Sequence, residues 1–485
     1  MISKILGFFR EIVVAAKFGT SWRIDAVIIA MEPAETVAAI VAGTIGAMMI
    51  PFYLELKREG DSEELRVYVS QVLKWTSLLM MGFGALLFFF PNTIIHLFAP
   101  SFSGEVLEYA SEKLQFFSIL PVIHGFGAIF TAALRSERKF FQMASTQLVL
   151  NMVCIPLIFV LAPICGETAF VLSWIAGYGI MTLSIAVLCI PFFDPKGFWS
   201  LRSPSPYAKK TMAHAIPLIA GKSTGVVNSM VDKIFASSLP AGRVAALRYS
   251  YFFLTMINSL LVNSFLTTIF TEMGEAVARR DFAKLKNRLE KSATDMLNLV
   301  IPLTFWVILM ADPLIQALFQ RGSFDAQSTS LVSASLVGYS TILLVAPVGG
   351  LIGHVLISLK DLAFINTLSV VSIGANVLFD WFLVGPFGHA GIAASSAAVS
   401  VLHTLFSYLW LKKRHDLSFF QWKPWLLKFS VSFSLAAVLF MVKLWVIDGW
   451  IWLVLSNAHF FLLFERLNRK MWREVLARCK RFLGS

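Results

Sequence analysis

Two groups of polar side chains stand at helical spacing inside otherwise apolar stretches of this 485-residue sequence. The first is Lys4, Arg10 and Glu11. Lys4, Gly7 and Glu11 share one helix face through three- and four-residue spacing, with Arg10 adjacent. Facing a cavity, the two cations would hold an anionic group such as a diphosphate, the arginine through its planar fork of donors. The competing reading is an internal ion pair of Arg10 with Glu11 or with a neighbouring helix. The second group is Asn228 with Asp232, Asn376 with Asp380, and Ser396. Each Asn/Asp pair is spaced by four residues, so its oxygens lie on one helix face. Two carboxylates with amide and hydroxyl oxygens, and no soft ligand, suit a small hard cation rather than zinc. A bound Na⁺ or a proton would offset the cost of burying two negative charges together. Alternatively Asp232 pairs with Lys222 or Lys233, and Asp380 sits at a hydrated helix end.

These side chains need reasons because of where they lie. The chain is 57% apolar and only 14% charged, with 44 phenylalanines. A soluble domain carries roughly 25% charge, so this sequence could not clothe a water-exposed surface. A bilayer span takes roughly 20 apolar residues, which leaves room for about fourteen. The expected fold is therefore an all-α polytopic membrane protein. Its segments lie near 2–18, 25–55, 71–91, 111–134, 141–162, 167–191, 211–237, 243–271, 293–319, 328–358, 362–384, 389–411, 425–446 and 449–465. A charge at mid-bilayer costs roughly 2.5–3.5 kcal/mol on insertion scales, so polar residues there face cavities or partners.

The net charge of +12 is not a nucleic-acid footprint, because its distribution follows the membrane. Connections after the even-numbered segments, with the tail, hold 28 Lys and Arg; the opposite side holds Arg23, Lys113, Arg243 and Arg321. Cytoplasmic loops collect such residues, which puts both termini in the cytoplasm and requires an even helix count. The basic amphipathic tail from Arg466 suits an anionic lipid surface.

Other signals are silent. Cys154, Cys165, Cys189 and Cys479 form no CxxC pair or metal spacing. Gly221–Thr224 reads GKST, but Ile216 replaces the first glycine of a P-loop and no strand precedes it. Arg10 and Glu11 interrupt the first apolar run, so no cleavable signal peptide is expected. No nucleophile–base pair suggests covalent chemistry.

An internal repeat appears at a shift of about 221–225 residues. Phe90–Glu105 parallels Ala311–Ala326, and the stretch from Leu134 parallels that from Leu359, with Asn151 falling on Asn376. Six segments separate the copies, so both halves keep one orientation. That predicts two six-helix lobes related by a pseudo-two-fold along the membrane normal, a transporter plan. The expected divisions are 1–192, a cytoplasmic linker 193–210, 211–411, two added helices in 425–465, and the tail 466–485.

The chain resembles the MurJ/MviN family of lipid II flippases, in the multidrug/oligosaccharidyl-lipid/polysaccharide exporter superfamily. The likeness rests on SKILGFFREIVVAAKFG (Ser3–Gly19), IDA (Ile24–Ala26), LFQRGSFD (Leu318–Asp325) and GPFGHAG (Gly385–Gly391). It implies a two-lobe carrier with a central cationic cavity and a groove for the polyprenyl tail beside the last two helices. The family's Ser-Arg pair and following Arg fall on Ser3, Lys4 and Arg10, and its Asp after the first helix on Asp25. Its sodium site, known in some members, falls on Asp232, Asn376, Asp380, the Ile392 carbonyl and Ser396. Two family arginines are missing: they fall near Ala38 or Ala39 and near Phe252, with Arg248 one turn before the latter as a substitute.

The expected function is movement of a polyprenyl-diphosphate-linked envelope precursor, lipid II for peptidoglycan synthesis, across the bacterial inner membrane by cation-linked alternating access. The expected partners are the lipid-linked saccharide, membrane lipids and envelope-synthesis enzymes, with no nucleic acid. The only expected cofactor is a coupling cation, Na⁺ or H⁺. The missing arginines favour, as the alternative, an exopolysaccharide or O-antigen unit flippase. A cation-coupled drug exporter and a non-transporting scaffold are the remaining readings.

Overall fold

In a computed structural model, the described residues are 2–194, 198, 205–261 and 263–419, with isolated positions between 426 and 437. Every regular element among them is helical. In chain order the helices are α1 (Ile2–Phe18), α2 (Trp22–Glu32), a π turn (Pro33–Val37), α3 (Ala38–Glu59), α4 (Ser62–Phe89) and α5 (Pro91–Phe98). α6 (Gly104–Phe117), α7 (Leu120–Ser136), α8 (Phe140–Cys165) and α9 (Thr168–Cys189) follow. The second half has α10 (Pro206–Ser237), α11 (Arg243–Leu261), α12 (Asn263–Ala278), α13 (Phe282–Phe319), α14 (Ala326–Ser358) and α15 (Leu362–His415).

The first twelve apolar segments all fall on these helices, and among the described residues eight helical runs are long and apolar enough to cross a membrane. The protein is thus an all-α, multi-pass membrane protein. Segments 425–446 and 449–465 and the tail lie outside the described residues. Local rules explain most boundaries. Ser21 and Asp61 cap helix starts with their side-chain oxygens, Asp61 accepting from Glu63 and Glu64 N–H at 3.0 and 2.8 Å. The fourth segment is interrupted at Ser118–Ile119, just before Pro121 starts α7. α13 begins a full three turns before its apolar run, carrying Lys284, Lys286 and Arg288. α15 runs through two segments, and the break falls at Gly388 (φ 57°), a left-handed conformation that glycine adopts without strain.

Sidedness is inverted relative to a soluble bundle. Phe141, Ile164, Phe89 and Trp381 are 82%, 76%, 71% and 65% exposed, the outward apolar display expected of a lipid-facing surface. Among the described residues the helices pack into two compact units, one within 1–249 and 319–331, the other within 250–318 and 332–419. The core of the first includes Ile45, Met49, Tyr53, Val72, Phe130 and Leu134. That of the second includes Leu289, Val300, Leu351, Val355 and Leu411.

Candidate functional site

α1 carries its charges inward. Glu11 is fully buried and Arg10 is 7% exposed, whereas Lys4 is exposed near the helix start. The Glu11 carboxylate accepts from Arg10 Nη2 at 3.4 Å and from Arg248 of α11 through Nε at 3.3 Å and Nη2 at 3.0 Å. Two guanidiniums thus share one buried carboxylate. Arg10 Nη1 also donates to Asn151 Oδ1 at 3.2 Å, and Asn151 Nδ2 donates to the Ser3 carbonyl at 3.2 Å. The Arg10 guanidinium lies 4.0 Å from the Trp174 ring centroid, which in turn stacks on Phe170 at 4.8 Å; a cation over an aromatic face is attracted by the ring quadrupole.

So the ion pair posed as one reading of Arg10 and Glu11 does form, and Arg248 joins it. Ser3 takes part through its backbone, and Lys4 is exposed near the helix start. The sequence reading left Trp174 unassigned and used Asn151 only as a repeat landmark. That landmark was the available signal, since Asn151 and Asn376 occupy equivalent repeat positions and both are buried polar residues.

The cluster continues on the helix-2 region. Glu35, within the π turn, accepts from Trp174 Nε1 at 3.0 Å and Tyr178 Oη at 2.6 Å. Glu32 pairs with Lys233 of α10 and accepts from Thr36 at 3.0 Å. Such π turns often mark functional positions. Neither glutamate was assigned a role from sequence.

Asp25 has a different job from the cations. It is 5% exposed and accepts from the Gly242 and Ala245 amides at 2.6 and 2.7 Å, capping the start of α11. The same end of the unit is closed by the LFQRGSFD loop. Ser323 N donates to the Ala16 carbonyl at 2.8 Å, and the Thr20 and Ser328 hydroxyls meet at 2.8 Å. Tyr249 Oη donates to the Gly19 carbonyl at 3.2 Å. Phe319 packs edge-on against Phe8 and tilts over Phe324. Asp325, outside the membrane-spanning segments, holds its carboxyl below the usual range by accepting the Ser328 amide.

In the second unit, Asn376 (2% exposed) and Asp380 (0%) face each other along α15, Nδ2 to Oδ2 at 3.5 Å. Ser395 Oγ lies 3.4 Å from both the Asn376 carbonyl and its Oδ1. Ile392 is fully buried, and the half-buried Ser396 accepts the Ser400 hydroxyl at its carbonyl. Ser395, next to the expected Ser396, thus brings a hydroxyl to the Asn376 amide. Asp232 and Asn228 belong to the first unit. Lys233, offered above as a partner for Asp232, is engaged by Glu32 and Ser229; the Lys222 side chain lies outside the described residues.

A family model described as lipid II flippase MurJ matches residues 14–463. A lipid II flippase MurJ from Burkholderia cenocepacia is 23% identical over 461 residues, spanning 90% of this chain and 86% of that protein. A probable lipid II flippase MurJ from Buchnera aphidicola (Acyrthosiphon pisum) is 25% identical, covering 84% and 80%. Among solved structures, a lipid II flippase MurJ in an inward closed conformation superposes with a TM-score of 0.82, at 22% identity and 98% coverage of both chains. An inward-facing multidrug resistance MATE family transporter of the MOP superfamily gives 0.71 at 16% identity, covering 86% and 95%.

Proposed function

Because this chain belongs to the MurJ family of lipid II flippases, we propose that it carries lipid II across the bacterial cytoplasmic membrane for peptidoglycan synthesis. The observation that carries the site assignment is the buried Arg10–Glu11–Arg248 cluster. Its two guanidiniums are planar donors suited to a diphosphate. An incoming oxyanion competes with Glu11 for the two guanidiniums, so binding and the α1–α11 contact are linked. No bond in the lipid is made or broken; the protein is a carrier.

Both termini are cytoplasmic in this reading, following the lysine and arginine distribution. The end closed by Asp25, Thr20 and the LFQRGSFD loop is then the outer end. Lys4 stands at the cytoplasmic entrance and Arg10 deeper. The lobes 1–192 and 211–411 alternate access. A cation, Na⁺ or H⁺, held by Asp232, Asn376, Asp380, the Ile392 carbonyl and Ser395 or Ser396 biases the two states. It does so only through its different affinity for each.

A second reading has its own support. The position where the family places an arginine, near Ala38 or Ala39, carries no charge here, so a less anionic headgroup of an exopolysaccharide or O-antigen unit would fit. Depletion of the native lipid II flippase in a host carrying this chain separates the two. Restored growth with peptidoglycan synthesis supports lipid II transport. Lysis with intact polysaccharide export supports the second reading.

A further inference from the structure

The charges buried around α1 include one carboxylate that no cation holds directly. Hydrogen bonds, ion pairs and one ring contact join Glu11, Glu32 and Glu35 to Arg10, Lys233 and Arg248. Glu11 is held by both guanidiniums and Glu32 by the Lys233 ammonium. Glu35 differs, because its two oxygens are held by neutral donors, Trp174 Nε1 at 3.0 Å and Tyr178 Oη at 2.6 Å. Its link to a cation is indirect, through the Trp174 ring that lies 4.0 Å from the Arg10 guanidinium.

A diphosphate arriving at the guanidiniums upsets this balance. It adds a negative charge on each phosphate where Glu11 is fully buried and Arg10 is 7% exposed. Added like charge disfavours every ionised carboxylate nearby, and a proton on one of them relieves the repulsion. Protonating Glu11 or Glu32 would forfeit a direct ion pair, whereas protonating Glu35 forfeits none. A protonated Glu35 keeps one oxygen for the Trp174 N–H. Its new O–H donates to Tyr178 Oη, which accepts as well as donates.

The groups facing Glu35 also supply a route for the proton. They are His124 of α7, Cys154 of α8, Tyr178 of α9 and Arg248 of α11, besides Arg10 and Glu11 of α1 and Glu32 of its own run. From α10 comes Lys233, next to Asp232 in sequence, while α3 carries no ionisable side chain before Tyr53. Cys154 is committed, its Sγ donating to the Ser173 carbonyl at 3.1 Å. The His124 ring lies edge-on to Tyr178 with centroids 4.7 Å apart, and its Nε2 is sealed from solvent without a hydrogen bond. The same half-buried histidine lines a groove of about 200 Å³ between α3 and α7. An imidazole that borders a groove yet keeps one nitrogen sealed inside is placed to pass a proton between water and Tyr178.

We propose that Glu35 is a substrate-linked proton site: a proton from solution binds its carboxylate when the lipid's diphosphate binds the guanidiniums, and dissociates when the diphosphate leaves. One O–H bond forms on Glu35, and no bond in the lipid changes. The proposal rests on the flippase reading above. The proton balances charge at the bound site and is separate from the cation proposed at Asp232 and Asp380.

The test counts protons taken up when undecaprenyl-diphosphate-disaccharide-pentapeptide binds the purified full chain. Titration calorimetry at one pH, in two buffers of different ionisation enthalpy, gives that count. Wild type should take up more protons than Glu35→Gln, by about one per lipid, and Glu32→Gln should match wild type. A linked proton changes affinity by up to about tenfold per pH unit. Wild-type affinity should therefore fall with rising pH by several-fold per unit more than that of Glu35→Gln. Thermal midpoints check that the variants fold. On wild type alone, infrared difference spectra should gain a carboxylic-acid C=O band when the lipid is added. Uptake that persists in Glu35→Gln, uptake lost equally in Glu32→Gln, or wild type without uptake or the new band overturns the proton site while the flippase reading stands. Failure of wild type to bind the lipid overturns the flippase reading itself.

Discussion

Arg248 reaches Glu11 from a helix 237 residues further along the chain and donates to both carboxylate oxygens, through Nε at 3.3 Å and Nη2 at 3.0 Å. Arg10, next in sequence to Glu11, donates only once, at 3.4 Å. The long-range partner is thus the better bonded one, and it ties α11 to α1.

Removing that partner leaves a fully buried carboxylate with one weak donor. Breaking a buried pair costs roughly 3–5 kcal/mol, so Arg248→Ala should lower the thermal midpoint of the purified protein sharply. Adding Glu11→Gln should recover part of it, with a coupling of about 1–3 kcal/mol. Additive losses in a double-mutant cycle would show that the two side chains do not interact.

Asp25 is predicted to act through the backbone of α11. Loss of a helix cap costs about 0.5–2 kcal/mol, so Asp25→Ala should destabilise by about that amount. Asp25→Asn should keep more than half of the wild-type margin, because asparagine also caps. The check is chemical denaturation of both variants in the same detergent.

Glu137 gives a pH dependence with a defined sign. Burial raises its pKa, but the hydrogen bonds from Lys57 and Tyr53 and the Lys57 and Lys139 charges outweigh that and hold the carboxyl below the usual range. A folded-state value below the unfolded one adds stability above the unfolded value, and that stability is lost as pH falls through the folded value. Between pH 6 and about 3, wild type should therefore lose more of its thermal midpoint than Glu137→Gln. Parallel curves would contradict the assignment.

Asp380 is predicted to set the cation dependence. Asp380→Asn removes one of the two carboxylates of the proposed site. It should abolish any stimulation of transport by Na⁺ or by a proton gradient, while binding of the lipid stays within about threefold. Unchanged stimulation in vesicles with controlled ion gradients would remove Asp380 from the coupling role.

Much of this could be read from residue types. Periodicity and length placed the first twelve helices because a bilayer tolerates few other apolar patterns. Asn376 with Asp380 was legible because four-residue spacing fixes a shared face whatever the tertiary packing. Arg248 on Glu11 was not legible as a bond, since nothing local links two residues on separate helices. Asp25 illustrates the same limit: its type and motif marked it as important, but only the fold shows that it caps α11. The break at Ser118–Ile119 escaped notice because the apolar run continues through it. Trp174 carried no signal of its own, although its ring sits against Arg10 and its Nε1 serves Glu35.

The central claim is that the positive charge buried at α1 handles the lipid's diphosphate. The most direct measurement is flipping of lipid II by the purified protein in proteoliposomes, wild type against Arg10→Ala, with protein folding checked by thermal midpoint. The account predicts lipid II transport by wild type and a fall of at least tenfold in the variant. A folded Arg10→Ala protein that flips lipid II at the wild-type rate would contradict it.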